Sequence, residues 1–410
     1  MSQITFFAPD TDAYVSSVMK HVPEYEQLTG DTVRLRIIDS DTYFSNDIHA
    51  QLGEPDGADV FMSGPVLAWE HLAAGFVEPL DDHVARARDD YEFGDFLPNL
   101  IVPNTWSGTF GTPLGEGPLL GIPVNCESYN LAYDRDRLES LGLGVPRTWA
   151  EYFDAARLIA RSGVQRGFAQ RGEQVWHTMY TGFASQFWSE GARDFHADGR
   201  SAIATPTAVH ATTQFLDALH DAGPRDWTNQ RWYELAMDFC AGDYGLIVDS
   251  DHYVAFFEDA TNSSMAGRVG YAMPPAGATG EVSPSLWTWS LVMNARSRRK
   301  DAAWRFMQWA SSREFLLRAV FEGNMNPTRT SVWDDERFGE FSSGWGDFVE
   351  VSRRLAEETG KVLVTPAPNT RAIADRWVRA LRAAYLGEDV EQSLRQAASE
   401  IDEMVEAPPR

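Results

Sequence analysis

With 410 residues, 43% of them hydrophobic and 23% charged, the chain is long enough for two or three domains with their own cores and has no signature of disorder. Its formal net charge of −25 repels a phosphate backbone. The one basic run, Arg296-Ser297-Arg298-Arg299-Lys300, is too short to reverse that, so no nucleic-acid partner is expected. No stretch reaches the ~18 uninterrupted apolar residues of a membrane span.

The first 110 residues alternate short apolar runs with amphipathic stretches. Residues 4–7 read as a strand, 13–28 as a helix, 32–38 as a strand of period two, and 58–62 as another short strand. Strand, helix, strand in this order implies a parallel sheet, whose ligands bind beyond the carboxyl ends of the strands. Those ends are Ala8-Pro9-Asp10, Asp39-Ser40-Asp41 and Ser63-Gly64. Between 98 and 121 the chain is rich in Pro and Gly, which reads as a crossing between lobes. A second strand–helix series follows. Its clearest helix opens on Thr148-Trp149-Ala150-Glu151, a capping box, with Trp149, Tyr152, Phe153, Ala156 and Ile159 on one apolar face. Residues 244–248 form a strand that stops at Asp249-Ser250-Asp251-His252. A Pro/Gly-rich segment, 274–280, leads into the strand 287–293 as the return crossing. Three further helices follow, after Lys300, around Trp377 and around Leu394. The expected division is 1–112 and 269–325 in the N-terminal lobe, with 113–268 and 326–410 in the C-terminal lobe.

Fourteen Trp with 13 Tyr and 23 Phe bring aromatic residues to 12%. Rings of this kind serve cores, and they also stack on pyranoses or polyol carbon chains. Cys126 and Cys240 have no zinc-type spacing; they pair only if the fold brings them together, and two buried thiols are expected. No Gly-x-Ser-x-Gly, Walker loop, Rossmann glycine fingerprint or His-Glu-x-x-His occurs, and the nine histidines are scattered. No metal or cofactor is expected. Asp249 and Asp251 form a glycosidase dyad only at the right separation; the competing reading is a hydrogen-bonding pair or a strand-end cap.

The segment Gly121-Ile122-Pro123-Val124-Asn125-Cys126-Glu127-Ser128-Tyr129-Asn130-Leu131-Ala132-Tyr133-Asp134 resembles the signature of family 1 extracellular solute-binding proteins. It departs from that signature at Asn130, Ala132 and Ser140. Val145-Pro146-Arg147-Thr148-Trp149-Ala150-Glu151, Phe239-Cys240-Ala241-Gly242, Ala302-Ala303-Trp304-Arg305-Phe306 and Asn326-Pro327-Thr328-Arg329 resemble further family segments in the same order. The resemblance implies an α/β, two-lobed periplasmic-binding-protein-like fold (type II). Each lobe would be a mainly parallel sheet flanked by helices, with a ligand cleft between lobes at a hinge. It implies the capture component of a bacterial ABC importer, a non-enzymatic monomer that takes a small neutral carbohydrate or polyol and hands it to membrane permease subunits. A glycoside hydrolase and a binder of a non-carbohydrate solute are the alternatives. The first residues, Met1-Ser2-Gln3-Ile4-Thr5-Phe6-Phe7, lack a basic region followed by an apolar stretch. Under the resemblance the expectation is an extracellular, periplasmic or lipid-anchored surface protein whose export signal is absent from this sequence.

Candidate ligand contacts follow from strand-end position and from chemistry that suits hydroxyls. The first lobe supplies Asp10, Asp39, Asp41, Tyr43 and Ser63. The second supplies Asn125, Arg171, Glu173, Trp176, Asp249 and His252. Trp287 and Trp289 alternate with Thr288 and so share a face of the return strand. Asn326 and Arg329 come from the resemblance to the family's cleft turn.

Overall fold

The computed structural model describes residues 1–10, 13–45, 47–163, 165–180, 182–323 and 326–406. The chain runs through β1 (Gln3–Pro9), α1 (Ala13–Thr29), β2 (Thr32–Ile38), α2 (Ser40–Tyr43), β3 (Val60–Ser63), α3 (Pro65–Ala73), β4 (Ile122–Asp134), α4 (Trp149–Arg161), β5 (Arg166–Ala169), α5 (Pro206–Ala222), α6 (Trp232–Ala241), β6 (Tyr244–Ser250), β7 (Val269–Ala272), β8 (Leu286–Met293), α7 (Lys300–Ala310), α8 (Arg313–Gly323), α9 (Thr370–Tyr385) and α10 (Val390–Glu406), with shorter helical segments between them. It divides into two compact units. Unit 1 holds Met1–Glu127, Trp287–Phe341 and Pro366–Pro368; unit 2 holds Ser128–Leu286, Ser342–Thr365 and Asn369–Arg410. No helix among the described residues is long and apolar enough to cross a membrane.

In unit 1, β1 pairs in parallel with β2 on one side and β3 on the other, and β3 pairs antiparallel with β8. The central strand β1 is buried at every position after Gln3, which explains its unbroken apolar run. At the edge, β2 alternates Val33 and Leu35 with Arg34 and Arg36, and the arginines reach toward solvent. Helices α1, α7 and α8 cover the sheet through a ring cluster. Phe6 meets Phe306 at 5.3 Å, and Tyr25 meets Trp309 at 5.1 Å. Asp59, at the mouth of β3, is 2% exposed and accepts from Thr5 N, Ser297 Oγ and Arg299, tying β1 to the loop after β8.

In unit 2, β5 and β6 are parallel, while β6 and β7 each run antiparallel to β4. Antiparallel pairing therefore outweighs what strand–helix alternation implies, because β4 runs against both of its neighbours there. The core joins Trp149, Tyr152 and Phe153 of α4 to Phe168 and Phe215, and Phe183 and Phe187 to Trp377 of α9.

The crossings lie elsewhere than the Pro/Gly content implies. Residues 98–121 fold back on unit 1, where Leu120 N donates to Asn104 O (2.7 Å) and Gly115 N to Thr105 O (2.8 Å). Trp106 is fully buried there against Trp69. The first change of unit falls at Glu127, inside β4, and not at 112. Residues 269–286 stay in unit 2 because β7 pairs with β4 and Trp149 N donates to Ala276 O. Residues 326–341 stay in unit 1, where Arg329 is anchored.

The capping box at α4 forms with a shift of one residue. Thr148 Oγ1 accepts from Glu151 N (3.2 Å), and Glu151 Oε2 accepts from Arg147 N (2.8 Å) in place of the cap residue's own amide. Thr148→Ala should cost about 1 kcal/mol, read as a lower urea midpoint with an unchanged slope.

Candidate functional site

The carboxyl ends of the unit 1 strands gather short polar side chains. Asp10, just after β1, accepts from Ser40 Oγ at 2.6 Å. Asp39 ends β2 and caps α2 by accepting from Thr42 N (2.9 Å); that bond holds its carboxyl below the usual range. Asp41 is exposed one residue into α2. Ser63 closes β3, wholly buried, its hydroxyl 3.3 Å from Gly64 O.

Beside these ends stands an aromatic group. The Trp287 indole lies directly on Gly64, where an added Cβ would meet Cζ2 at 2.0 Å, so the glycine is a packing requirement. Trp287 and Trp289 share one face of β8, 5.7 Å apart and steeply inclined at 74°. Trp289 Nε1 donates to Glu127 Oε1 (2.9 Å), and Phe44 stands 5.9 Å from the Trp289 ring. Glu127 and Phe44 were not among the candidates from sequence. Glu127 lies within the quoted signature, yet nothing in its spacing separates it from its neighbours.

In unit 2 the chain leaves β5 at Ala169 and reaches Arg171, whose Nε and Nη2 hold the two oxygens of Asp249 at 2.9 and 2.5 Å. Nη2 also donates to the Tyr253 hydroxyl (2.9 Å), which donates onward to Trp232 O (3.1 Å). The loop is fixed from below. Trp227 Nε1 donates to Arg171 O (2.7 Å), and a Cβ on Gly172 would meet Trp227 O at 1.9 Å. Asp249 and Arg171 are 2% and 9% exposed. Among the described residues, Nη1 of Arg171 has no acceptor, so the guanidinium keeps donors in reserve.

The other candidates are placed less favourably. Tyr43 is a correction: it is 1% exposed, and its hydroxyl donates to Met62 O (2.6 Å) with Phe7 O at 3.2 Å, strapping α2 to β1 and β3. Arg329 is a second correction. It has no exposed surface, its guanidinium donates to Ser311 O, Glu92 O and Tyr91 O, and it lies 3.9 Å from the Phe96 ring centroid. Asn326 donates to Cys126 O (3.2 Å), and Asn125 is buried within β4. Glu173 accepts from Arg231 (2.8 Å), and His252 lies within the turn Asp251–Tyr253, its N donating to the capping Ser250 hydroxyl. Trp176 is 7% exposed with its ring against His177. Asp251, the other half of the supposed dyad, accepts from Ser128 N (2.9 Å). Both carboxylates are thus held in structural bonds. The two cysteines are buried, and neither forms a disulfide among the described residues.

Gly64→Ala should displace the Trp287 ring and destabilise the protein by roughly 1–3 kcal/mol, read by urea unfolding together with a changed tryptophan emission. A pH test addresses His177. Burial, then the Arg171 and Arg231 guanidinium groups, pulls it from 6.5 down to about 3, so the folded chain keeps it neutral. The unfolded chain takes up that proton first. Its contribution is therefore complete above about pH 6.5 and is lost as pH falls toward 3, at no more than about 1.4 kcal/mol per unit. His177→Gln should flatten that part of the pH–stability curve.

Residues 8–315 match the family described as bacterial extracellular solute-binding proteins. The erythritol/L-threitol-binding protein of Mycolicibacterium smegmatis is 30% identical to this chain over 396 residues, covering 94% of this chain and 82% of that one. Among solved structures, an ABC transporter solute-binding protein from Agrobacterium radiobacter K84 in complex with ribitol gives a TM-score of 0.86 at 21% identity over 98% of both chains. Maltose-bound T. maritima MalE3 gives 0.83 at 22% identity over 98% of this chain and 100% of that one. At those identities the structural likeness establishes the α/β periplasmic-binding-protein fold. The chain belongs to the bacterial extracellular solute-binding protein family, whose members bind solutes and catalyse no reaction.

Proposed function

We propose that the protein captures a short neutral polyol or small sugar outside the membrane and delivers it to the permease of an ABC importer. The observation that carries this is the Trp287–Trp289 pair with Glu127 on the Trp289 indole nitrogen, an apolar ring face beside carboxylate acceptors. A polyhydroxylated chain needs both, since its C–H groups want a flat surface and its hydroxyls want bidentate acceptors.

Charge argues for a neutral solute. Arg171 is balanced by Asp249 in a two-pronged pair, and Arg329 is spent inside unit 1, so neither offers an unmatched cation to an anionic ligand. Within unit 1, Asp10, Asp39 and Asp41 add acceptors for hydroxyls; within unit 2, Arg171 keeps donors in reserve. The relatives' erythritol, L-threitol, ribitol and maltose are all neutral and hydroxyl-rich, which supports the same reading.

Thermal-shift screening followed by calorimetry tests it. A four- to six-carbon polyol at a hundred times its Kd should raise stability by about 2.7 kcal/mol. Trp289→Ala and Arg171→Lys should each weaken binding by at least about tenfold with the fold intact. If only amino acids or peptides raise the melting temperature, the carbohydrate reading is wrong.

A further inference from the structure

The Arg171–Asp249 pair lies at the carboxyl ends of β5 and β6. At the amino ends of the same two strands, where Arg166 pairs with Tyr244, unit 2 holds a cavity of about 890 Å³. Asp249 stands five residue steps beyond Tyr244 along β6, or roughly 17 Å of extended chain. The two places are therefore distinct.

Two features of this cavity point to a ligand. Tyr244 lines it and is only 4% exposed, yet among the described residues its hydroxyl has no hydrogen-bond partner. Gln230, 9% exposed, also lines it; its Nε2 donates to Asp226 (2.8 Å), while its Oε1 is buried with no donor. Leaving Gln230 Oε1 unmet costs ~1–3 kcal/mol, while the Tyr244 hydroxyl is not closed off from solvent and offers the cavity a hydrogen-bonding group.

The lining also sets the ligand's charge. Asp226, Asp238 and Asp243 stand in the wall with Asp221, which is paired with Arg157, and carboxylates outnumber the lining's two guanidinium groups, Arg225 and Arg166; Arg166 spends Nη1 on Gly223 O and pairs with none of them. Asp238 is pushed up by burial and by the neighbouring carboxylates of Asp243, Asp226 and Glu234, the mark of negative charge gathered in one place. Yet among the described residues no three His, Cys, Asp or Glu side chains converge closely enough to hold a metal ion. A cation that fits must spread its positive charge over several N–H groups. The other wall is flat, with His220 stacked on Tyr385 at 4.3 Å and 3°. A methylene chain lies well against such a face.

We infer that this cavity is a second binding site, for an aliphatic polyamine, with ammonium groups on the Asp226, Asp238 and Asp243 carboxylates and donors meeting Gln230 Oε1 and the Tyr244 oxygen. The site is independent of solute capture.

Calorimetry with spermidine, in the presence and absence of saturating polyol, tests it. Expected is one spermidine per chain, with the same affinity in both conditions. Tyr244→Phe leaves the net charge unchanged and should still weaken spermidine binding roughly five- to tenfold, the effect of one lost hydrogen bond. Asp238→Asn should weaken it at least as much. Asp198→Asn, which removes an equal charge from an exposed position, should not. Polyol binding and melting temperature should hold in Tyr244→Phe, and Trp289→Ala should leave spermidine binding untouched. The inference is overturned if Tyr244→Phe binds as the parent does, if Asp198→Asn and Asp238→Asn weaken binding equally, if Trp289→Ala abolishes it, or if no saturable binding occurs. The third outcome would place the amine in the solute site and leave the capture reading standing.

Discussion

Strand β4 is the constraint from which the rest of the arrangement follows. It extends for thirteen residues, Ile122–Asp134, and every position but Glu127 is buried. Successive side chains point to opposite faces, so a strand buried throughout needs cover on both sides along its whole length. One stretch of chain thus has to satisfy two cores. Up to Glu127 it belongs to unit 1, and from Ser128 onward it pairs with β6 and β7 in unit 2. Glu127, its half-exposed position, is the residue at which the unit changes. It is also the residue that accepts the Trp289 indole proton. It is the one position along the strand that is only partly covered, and it is there that the strand presents a carboxylate acceptor.

The groups judged functional share a second trait: each is held from behind by something that tolerates no change of shape. Trp287 rests on a glycine that cannot carry a Cβ, and Arg171 precedes another pressed against Trp227. Trp227 in turn bonds the carbonyl of Arg171. Binding to a site whose side chains are already fixed loses less conformational entropy than binding to one that must first be ordered. For a small solute this economy matters more than for a large one, because a small solute has fewer atoms with which to offset the ordering of its host.

Sequence reading reached the elements more surely than the contacts. β2, α4 and the C-terminal helices were legible because their apolar positions recur with period two or 3.6, and β1 and β8 because they are short, largely apolar runs buried almost throughout. The Pro/Gly tract at 98–121 misled because such residues serve tightly packed loops as well as crossings. Gly117 at φ 113° is required by a close approach to Ser107, and Trp106 buries itself in the same loop. Tyr43 misled for a related reason, and Arg329, a candidate only through the family resemblance, shares its outcome. A polar residue near a strand end can face outward to a ligand or inward to backbone carbonyls, and only the fold decides which. Glu127 and Phe44 were invisible for the opposite reason, as their roles come from partners far off in the chain.

Charge shows how local structure qualifies a bulk property. A chain at −25 could be taken to attract cations everywhere. Around Arg171 the opposite holds, because a guanidinium and a carboxylate neutralise one another in a buried pair and leave hydrogen-bonding groups without net charge. Desolvating that pair is costly, and the cost is met only when its remaining donors find partners. A neutral hydroxyl can supply an acceptor to Nη1 without bringing a charge that must itself be desolvated, whereas a carboxylate would lose its hydration against Asp249 a few ångströms away. The same acidic chain therefore holds a charge-balanced pair at the carboxyl ends of β5 and β6, and gathers an excess of carboxylates at the far ends of the same strands.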